Sequence, residues 1–435
     1  MHNSLLPADI DRSGLVPHQY RMHNGRIVYY FPMSDPDGSA SGHRIEMVKM
    51  DFIFEAGTAL QDKMLQSASA IQLLVEGTDR HTAREIAEFL DFRGIIVEKS
   101  NDAVSATITF YLMSRYADQL LPLLHEMITS PTYPEREFKL FIDKRRQSFR
   151  TSMLKTSYVA RCRFYEELYG PRHPLGRFAS LDDFDKLTAE DVRDFHRRYY
   201  NPSRMTIVLG GDVTPHMLET VDACFGNDVA EASSPIVLPP PMGKSHGLVR
   251  CEIPNAVQNT LRIGSILPFR WNDVEYCQFM VLSAILGGYF GSRLMSNLRE
   301  DKGYTYGVNA MTQMYSGSMA FFVTTDVAAD KSDAALAEIR KEMDRLCQEP
   351  VSDEELGLVR TSVLGDFLRT IDGVFERSER FCQQFTCGID ETFADNLMSV
   401  LSPDSPDAVT PDILLALANR IFAADRLLIV SAGKQ

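Results

Sequence analysis

Apolar residues alternate or run together near 27–32, 45–54, 94–98 and 103–112, which reads as β-strands. Near 62–75, 80–93, 114–129 and 134–154 they recur at three- and four-residue spacing, which reads as helices. A further helix near 188–199 and a strand near 204–210 follow. Beyond a Pro- and Ser-rich stretch the pattern resumes, with strands near 257–266, 304–314 and 318–326. Helices near 272–286, 291–302, 331–347, 352–369 and 373–386 accompany them.

The second series repeats the first. The block 188–211 aligns without a gap onto 410–433, sharing Thr188/Thr410, Arg198/Arg420, Arg204/Arg426, Ile207/Ile429, Val208/Val430 and Gly211/Gly433. Each block opens on a threonine suited to cap a helix, and Pro411 takes a first helical position. A second echo relates 134–149 to 352–367, where Ser352 and Glu355 have the spacing of a capping box. A looser third relates 81–94 to 292–303, each an amphipathic helix ending in glycine. A single repeat of this length is a duplicated domain, since solenoid periods run roughly 20–50 residues.

The pattern therefore predicts an α+β protein of two homologous α/β-sandwich domains, each a mostly antiparallel sheet covered by helices. The expected divisions are 1–225, a linker over 226–247, and 248–435.

Composition narrows the classes. A net charge of −14 over 435 residues argues against nucleic-acid binding, which needs clustered Lys and Arg. The seven cysteines form no Cys-x-x-Cys pair and suit buried, reduced thiols. The N-terminal residues lack the pattern of a signal peptide, and no apolar run is long enough to span a membrane. A cytoplasmic protein is the expectation.

Four local motifs, in order along this duplicated chain, carry a resemblance: "EGT" (76–78), "YGPRHPLGR" (169–177), "YYNPSRMTIVLGGDV" (199–213) and "GSRLMSNLREDKGYTYGV" (291–308). Together they resemble the pitrilysin/insulinase zinc peptidases, over about residues 26–433. In active members a helix just before the Gly-Thr turn carries H-x-x-E-H, two zinc ligands and a general base. Here those positions fall on Ala68, Ile71 and Gln72. Alanine and isoleucine have no lone pair, and a glutamine amide is a poor zinc ligand that accepts no proton at neutral pH.

The resemblance places a third ligand, a glutamate, in the helix 134–154. Glu135 and Glu137 lie too early, and the matching "LFIDKRRQ" offers only Asp143 among basic neighbours. Where active relatives resemble Gly-Gly-x-x-Asn-Ala, this chain has Glu98 and Lys99 in place of Asn-Ala. No two histidines stand three or four residues apart, and His173 in "RHPLGR" suits a structural turn. No metal site is expected in this chain.

The second half keeps Arg299 and Tyr306, seven residues apart across a helix end and a glycine turn. They resemble the family's Arg/Tyr pair, fixed donors aimed where negative charge develops. From spacing alone, a surface arginine and a core tyrosine remain an alternative.

The resemblance implies the non-catalytic subunit of a heterodimeric zinc peptidase. It would supply Arg299 and Tyr306 in trans to an H-x-x-E-H-bearing homologous subunit that holds the zinc. Together the two would enclose a peptide substrate as an added strand. Overall acidity favours basic or neutral peptides in such a chamber. Two alternatives stay open: a structural or assembly subunit, and a self-paired peptide-binding protein without proteolytic activity. Whether the isolated chain is a homodimer also stays open.

Overall fold

The computed structural model describes residues 13–33, 46–228 and 236–434. Residues 229–235 of the expected linker, with 1–12 and 34–45, lie outside them.

Two sheets organise the chain. The first uses β1 (His18–Arg21), β2 (Ile27–Pro32), β3 (Met47–Phe54), β4 (Ile96–Asn101), β5 (Ala106–Met113) and β6 (Thr206–Gly211), in the order β1-β2-β6-β3-β5-β4. Its helices are α1 (Gln66–Gln72), α2 (Ala83–Phe92), α3 (Ala117–Thr129), α4 (Glu135–Ser152), α5 (Thr156–Tyr169), α6 (Asp183–Lys186), α7 (Ala189–Tyr199) and α8 (Pro215–Phe225). The second sheet uses β7 (Gly247–Glu252), β8 (Gln258–Ile266), β9 (Val308–Tyr315), β10 (Ser318–Ala328) and β11 (Leu428–Gly433), in the order β7-β11-β8-β10-β9. With it come α9 (Val274–Ser283), α10 (Ser332–Gln348), α11 (Asp353–Arg369), α12 (Val374–Cys387), α13 (Thr392–Leu401) and α14 (Pro411–Ile421).

Each sheet is antiparallel except for one parallel pair, β2 with β6 and β7 with β11. In both, the parallel partner is the strand that returns at the end of the half, as the expected α+β architecture requires.

The caps follow the sequence. Thr188 accepts from the Asp191 amide within a full capping box, and Thr410 accepts from the Ile413 amide with Pro411 in the first turn. Ser352 makes only half of the box expected for it. It accepts from the Glu355 amide, but the Glu355 carboxylate takes two hydrogen bonds from Arg293, at 2.9 and 2.8 Å. A bidentate charge-assisted pair outcompetes a bond to one backbone amide.

Helices bury one face of each sheet. In the first half Val48, Met50, Phe52, Ile108, Phe110 and Leu209 meet α1, α3 and α8 in one core. In the second, Ile263, Phe321, Val323 and Ile429 meet α9, α10 and α14 in another.

The opposite faces are closed by exchange. Helix α5 of the first half lies on β8 and β11 of the second sheet, with Phe164, Tyr165 and Leu168 against Phe322, Leu428 and Val430. Helix α12 of the second half lies on β2 and β6 of the first, with Val374 and Phe381 against Phe31, Ile53 and Val208. The central strands are thus buried on both sides: β11 reads as a nearly continuous apolar run, and β3 is buried along almost its whole length although it carries Lys49 and Asp51. Beneath α12 lies a buried polar cluster. Asp51 accepts from Lys49 at 3.0 Å, from the Thr109 hydroxyl at 2.7 Å and from the Cys382 thiol at 3.5 Å.

Among the described residues no helix is long and apolar enough to cross a membrane. None of the seven cysteines is disulfide-bonded.

Candidate functional site

Helix α1 sits where the "EGT" turn requires. Gly77 adopts φ +132°, a conformation that disfavours any side chain, and Thr132 donates its amide to the Gly77 carbonyl. The Thr78 hydroxyl donates to Glu126 and accepts from the His81 amide at 2.9 Å. At the other end, the Gln66 side chain accepts from the amides of Asp62 and Lys63, each at 2.8 Å. Leu65, just before the helix, is held at φ +75°.

The positions matched to the zinc motif carry no metal chemistry. Ala68 and Ile71 are buried, Ile71 completely and within the apolar core of the first half. The Gln72 amide is already committed, donating to the Lys99 carbonyl on β4 at 3.2 Å. Lys99 in turn donates its ammonium to the Gln72 carbonyl at 2.9 Å. Burial lowers the Lys99 pKa, and the charge of Glu76 partly opposes this. Burial raises the carboxyl of Glu76, with Lys99 pulling it back. Ala68, Ile71 and Gln72 themselves offer a divalent cation no anionic or imidazole donor. Among the described residues, no three His, Cys, Asp or Glu side chains gather as a metal-binding group elsewhere.

Ala68 opens instead on a cavity of about 670 Å³, shared with Ser148 and Phe149 of α4. Asn101 at the end of β4, and Gln313 and Tyr315 of β9, reach the same cavity. Both strands are sheet edges, with no further strand along one long side among the described residues.

His173 has a structural geometry. Buried, it stacks on Tyr169 at 4.9 Å, accepts from the Leu175 amide at Nδ1 and donates from Nε2 to the Pro239 carbonyl. Burial lowers its pKa, so the neutral ring is the one held.

Arg299 lies in a π-helical stretch, Met295–Asp301, a widened geometry often found at functional sites. Its guanidinium sits 5.0 Å over the Phe290 ring. Asn297 pins the stretch by donating to Glu338 and Glu342, at 3.0 and 2.7 Å. Gly303 at φ +63° ends it. The turn that follows is fixed by Thr305, whose hydroxyl donates to the Asp326 carbonyl at 2.8 Å and accepts from the Gly307 amide at 3.0 Å. Tyr306 projects from this turn 93 % exposed. It is therefore not the core strand residue of the bland alternative.

Two features escaped sequence reasoning: helix α5, which forms one wall of the cavity, and the cavity's arginines. The "KRRQ" run in place of the expected glutamate was the available signal for the second.

The model of the family described as peptidase M16 inactive domain matches residues 186–363. A Bacillus subtilis protein, "Uncharacterized zinc protease YmxG", is 22 % identical over 320 residues, covering 71 % of this chain and 75 % of that one. Another from Bacillus subtilis, "Probable inactive metalloprotease YmfF", is 19 % identical over 410 residues, covering 86 % and 94 %. The crystal structure of a peptidase M16 inactive domain from Pseudomonas fluorescens shares the fold, with a TM-score of 0.79 and 20 % identity over 96 % of this chain and 98 % of that one. Residues 186–363 thus match the family described as peptidase M16 inactive domain, and over most of its length the chain is similar to proteins named as a zinc protease and as a probable inactive metalloprotease.

Proposed function

We propose that this chain is the non-catalytic subunit of a two-chain zinc peptidase. A homologous partner bearing H-x-x-E-H holds the zinc and moves the protons. This chain supplies Arg299 and Tyr306 to that site and closes one side of a chamber around an extended peptide. The observation that carries this reading is the unequal state of the two motifs. Ala68, Ile71 and Gln72 are absorbed into packing and backbone hydrogen bonds, whereas Tyr306 is 93 % exposed on a turn held by the hydrogen bonds of Thr305. A phenol and a guanidinium held outward in this way can stabilise negative charge developing on a substrate carbonyl in a facing subunit. The outer edges of β4 and β9 offer main-chain donors and acceptors to a peptide lying between. The chain falls within the range of relatives whose names include both zinc protease and inactive metalloprotease.

The test is co-expression with a candidate H-x-x-E-H homologue, followed by peptide cleavage and metal analysis of the purified complex. Cleavage is expected only from the complex, with zinc in the partner. Arg299→Ala or Tyr306→Phe lowers kcat/KM by about 100-fold without disturbing co-elution. Unchanged cleavage in both variants, or stoichiometric zinc on the lone chain, overturns the reading.

A further inference from the structure

The cavity beside the emptied helix is cationic, in contrast to the chain's overall charge of −14. Arg145 of α4, Arg161 of α5 and Arg177 of the loop beyond all line it. None of the three has a carboxylate partner among the described residues. Arg161 lies 5.3 Å from the Tyr158 ring, and Arg177 donates to the Thr58 carbonyl at 3.3 Å, leaving its Nε buried and unpartnered. The one acid on the described lining is Asp102. Its carboxylate is already used, accepting from the amides of Val104 and Ser105 and from the Ser105 hydroxyl.

A fourth guanidinium stands behind the wall. Arg262 of β8 is 8 % exposed, lies 3.7 Å over the Phe322 ring and reaches the hydroxyl of the lining residue Tyr165 at 3.5 Å. Its Nε has no hydrogen-bond partner. Burial lowers its pKa, and the like charge of Arg161 adds to that. A buried cation facing another cation, with no anion between them, is a costly arrangement unless something else brings the anion. Tyr158, Tyr165 and Tyr315 add phenol groups to the same lining, and Gln61, 6 % exposed, brings an unpartnered amide oxygen.

The position of the cavity identifies what arrives there. Edge strand β4 runs into it at Asn101, and edge strand β9 at Gln313 and Tyr315. An extended peptide added to either edge delivers a side chain or a chain end to the arginines.

We propose that the cavity binds a peptide carboxylate, so that the vacated metal site serves as an anion subsite in substrate recognition. This rests on the reading of the chain as a peptide-holding subunit. A planar guanidinium pairs two-pronged with a carboxylate, and several of them around one cavity select for that charge.

The test uses the lone full-length chain and three fluorescein-labelled peptides of one backbone sequence, read by anisotropy at low salt. One carries internal glutamates and an amidated C-terminus. The second has glutamines and a free C-terminus, and the third has glutamines and an amidated end. The first, the second or both are expected to bind at least about tenfold more tightly than the third. Which of them does so tells a side chain from a chain end. The gap should close in Arg145→Gln/Arg161→Gln, both exposed positions, and largely survive in Arg145→Lys/Arg161→Lys. Equal binding of all three, a gap that persists in the glutamine variant, or no binding at all overturns the subsite. The cleavage assay of the complex is independent of these outcomes. Charge-selective binding without cleavage by any complex leaves the subsite standing and removes the two-chain peptidase.

Discussion

Lys99 and Gln72 exchange hydrogen bonds in both directions, ammonium to carbonyl at 2.9 Å and side-chain amide to carbonyl at 3.2 Å. The pair ties the last turn of α1 to edge strand β4, so the helix that would have held a metal is fastened by an internal cation instead. Lys99→Met leaves the Gln72 carbonyl without its donor. The expected cost is about 1–3 kcal/mol of unfolding free energy, read from a lowered urea midpoint, with faster amide hydrogen exchange confined to α1 and β4.

Restoring the zinc motif should fail, because its middle position now belongs to the core. Ile71 is fully buried among apolar side chains. Ile71→Glu places a carboxyl there without a partner, at an expected cost of about 3 kcal/mol or more. The triple variant Ala68→His/Ile71→Glu/Gln72→His should bind less than one zinc per chain by metal analysis. The cavity faces it with Ser148 and Phe149 from α4, and the one acid on the described lining, Asp102, is already held by Val104 and Ser105.

The polar cluster under α12 makes a separate prediction. Asp51→Ala leaves Lys49 charged and buried without its partner, which should cost about 3–5 kcal/mol. The double change Lys49→Met/Asp51→Leu removes both charges and should recover most of that loss. Chemical denaturation of the three proteins checks the order.

His196 gives a pH signature. Burial brings its pKa down to about 4, against a hydrogen bond with the Ile128 backbone that raises it, with the charge of Arg197 lowering it further. An unfolded histidine titrates near 6.5, so between the two values the unfolded chain binds the extra proton. The contribution of the neutral ring is complete above about pH 6.5 and is lost as pH falls towards 4, with a slope of at most about 1.4 kcal/mol per unit. The ring stacks on Tyr200 at 5.1 Å, so His196→Phe keeps an aromatic neighbour while removing the titration. Unfolding midpoints measured across that pH range should show a shallower slope in the variant.

The duplication and the strand pattern were legible because each half buries one sheet face against its own helices, leaving period-two and period-3.6 signals intact. The pattern predicts one helix over 134–154, but the chain breaks after Ser152 and restarts as α5 at Thr156. That helix, wedged between halves, buries Ala160, Phe164, Tyr165, Glu167 and Leu168 around much of its circumference and so shows no clear stripe. The repeat held the missing clue. Continued past residue 149, the offset that relates 134–149 to 352–367 lays Thr156 onto Val374, the first residues of α5 and α12. The arginines of the cavity were visible as residues but not as neighbours, since Arg145, Arg161 and Arg177 converge only when α4, α5 and the following loop fold together. Strand β1 has only four residues, and β7, GLVRCE, is largely exposed with charged residues at two of its six positions, so neither offers an apolar run to read.

The reciprocal placement of α5 and α12 bears on how such a protein can be taken apart. Severing the chain between the sheets would give two pieces, each lacking the helix that closes its own sheet and each holding the one its sibling lacks. Neither piece is then a self-sufficient module. Expressed together they form a natural split protein, whose reassembly could report when two tethered molecules meet.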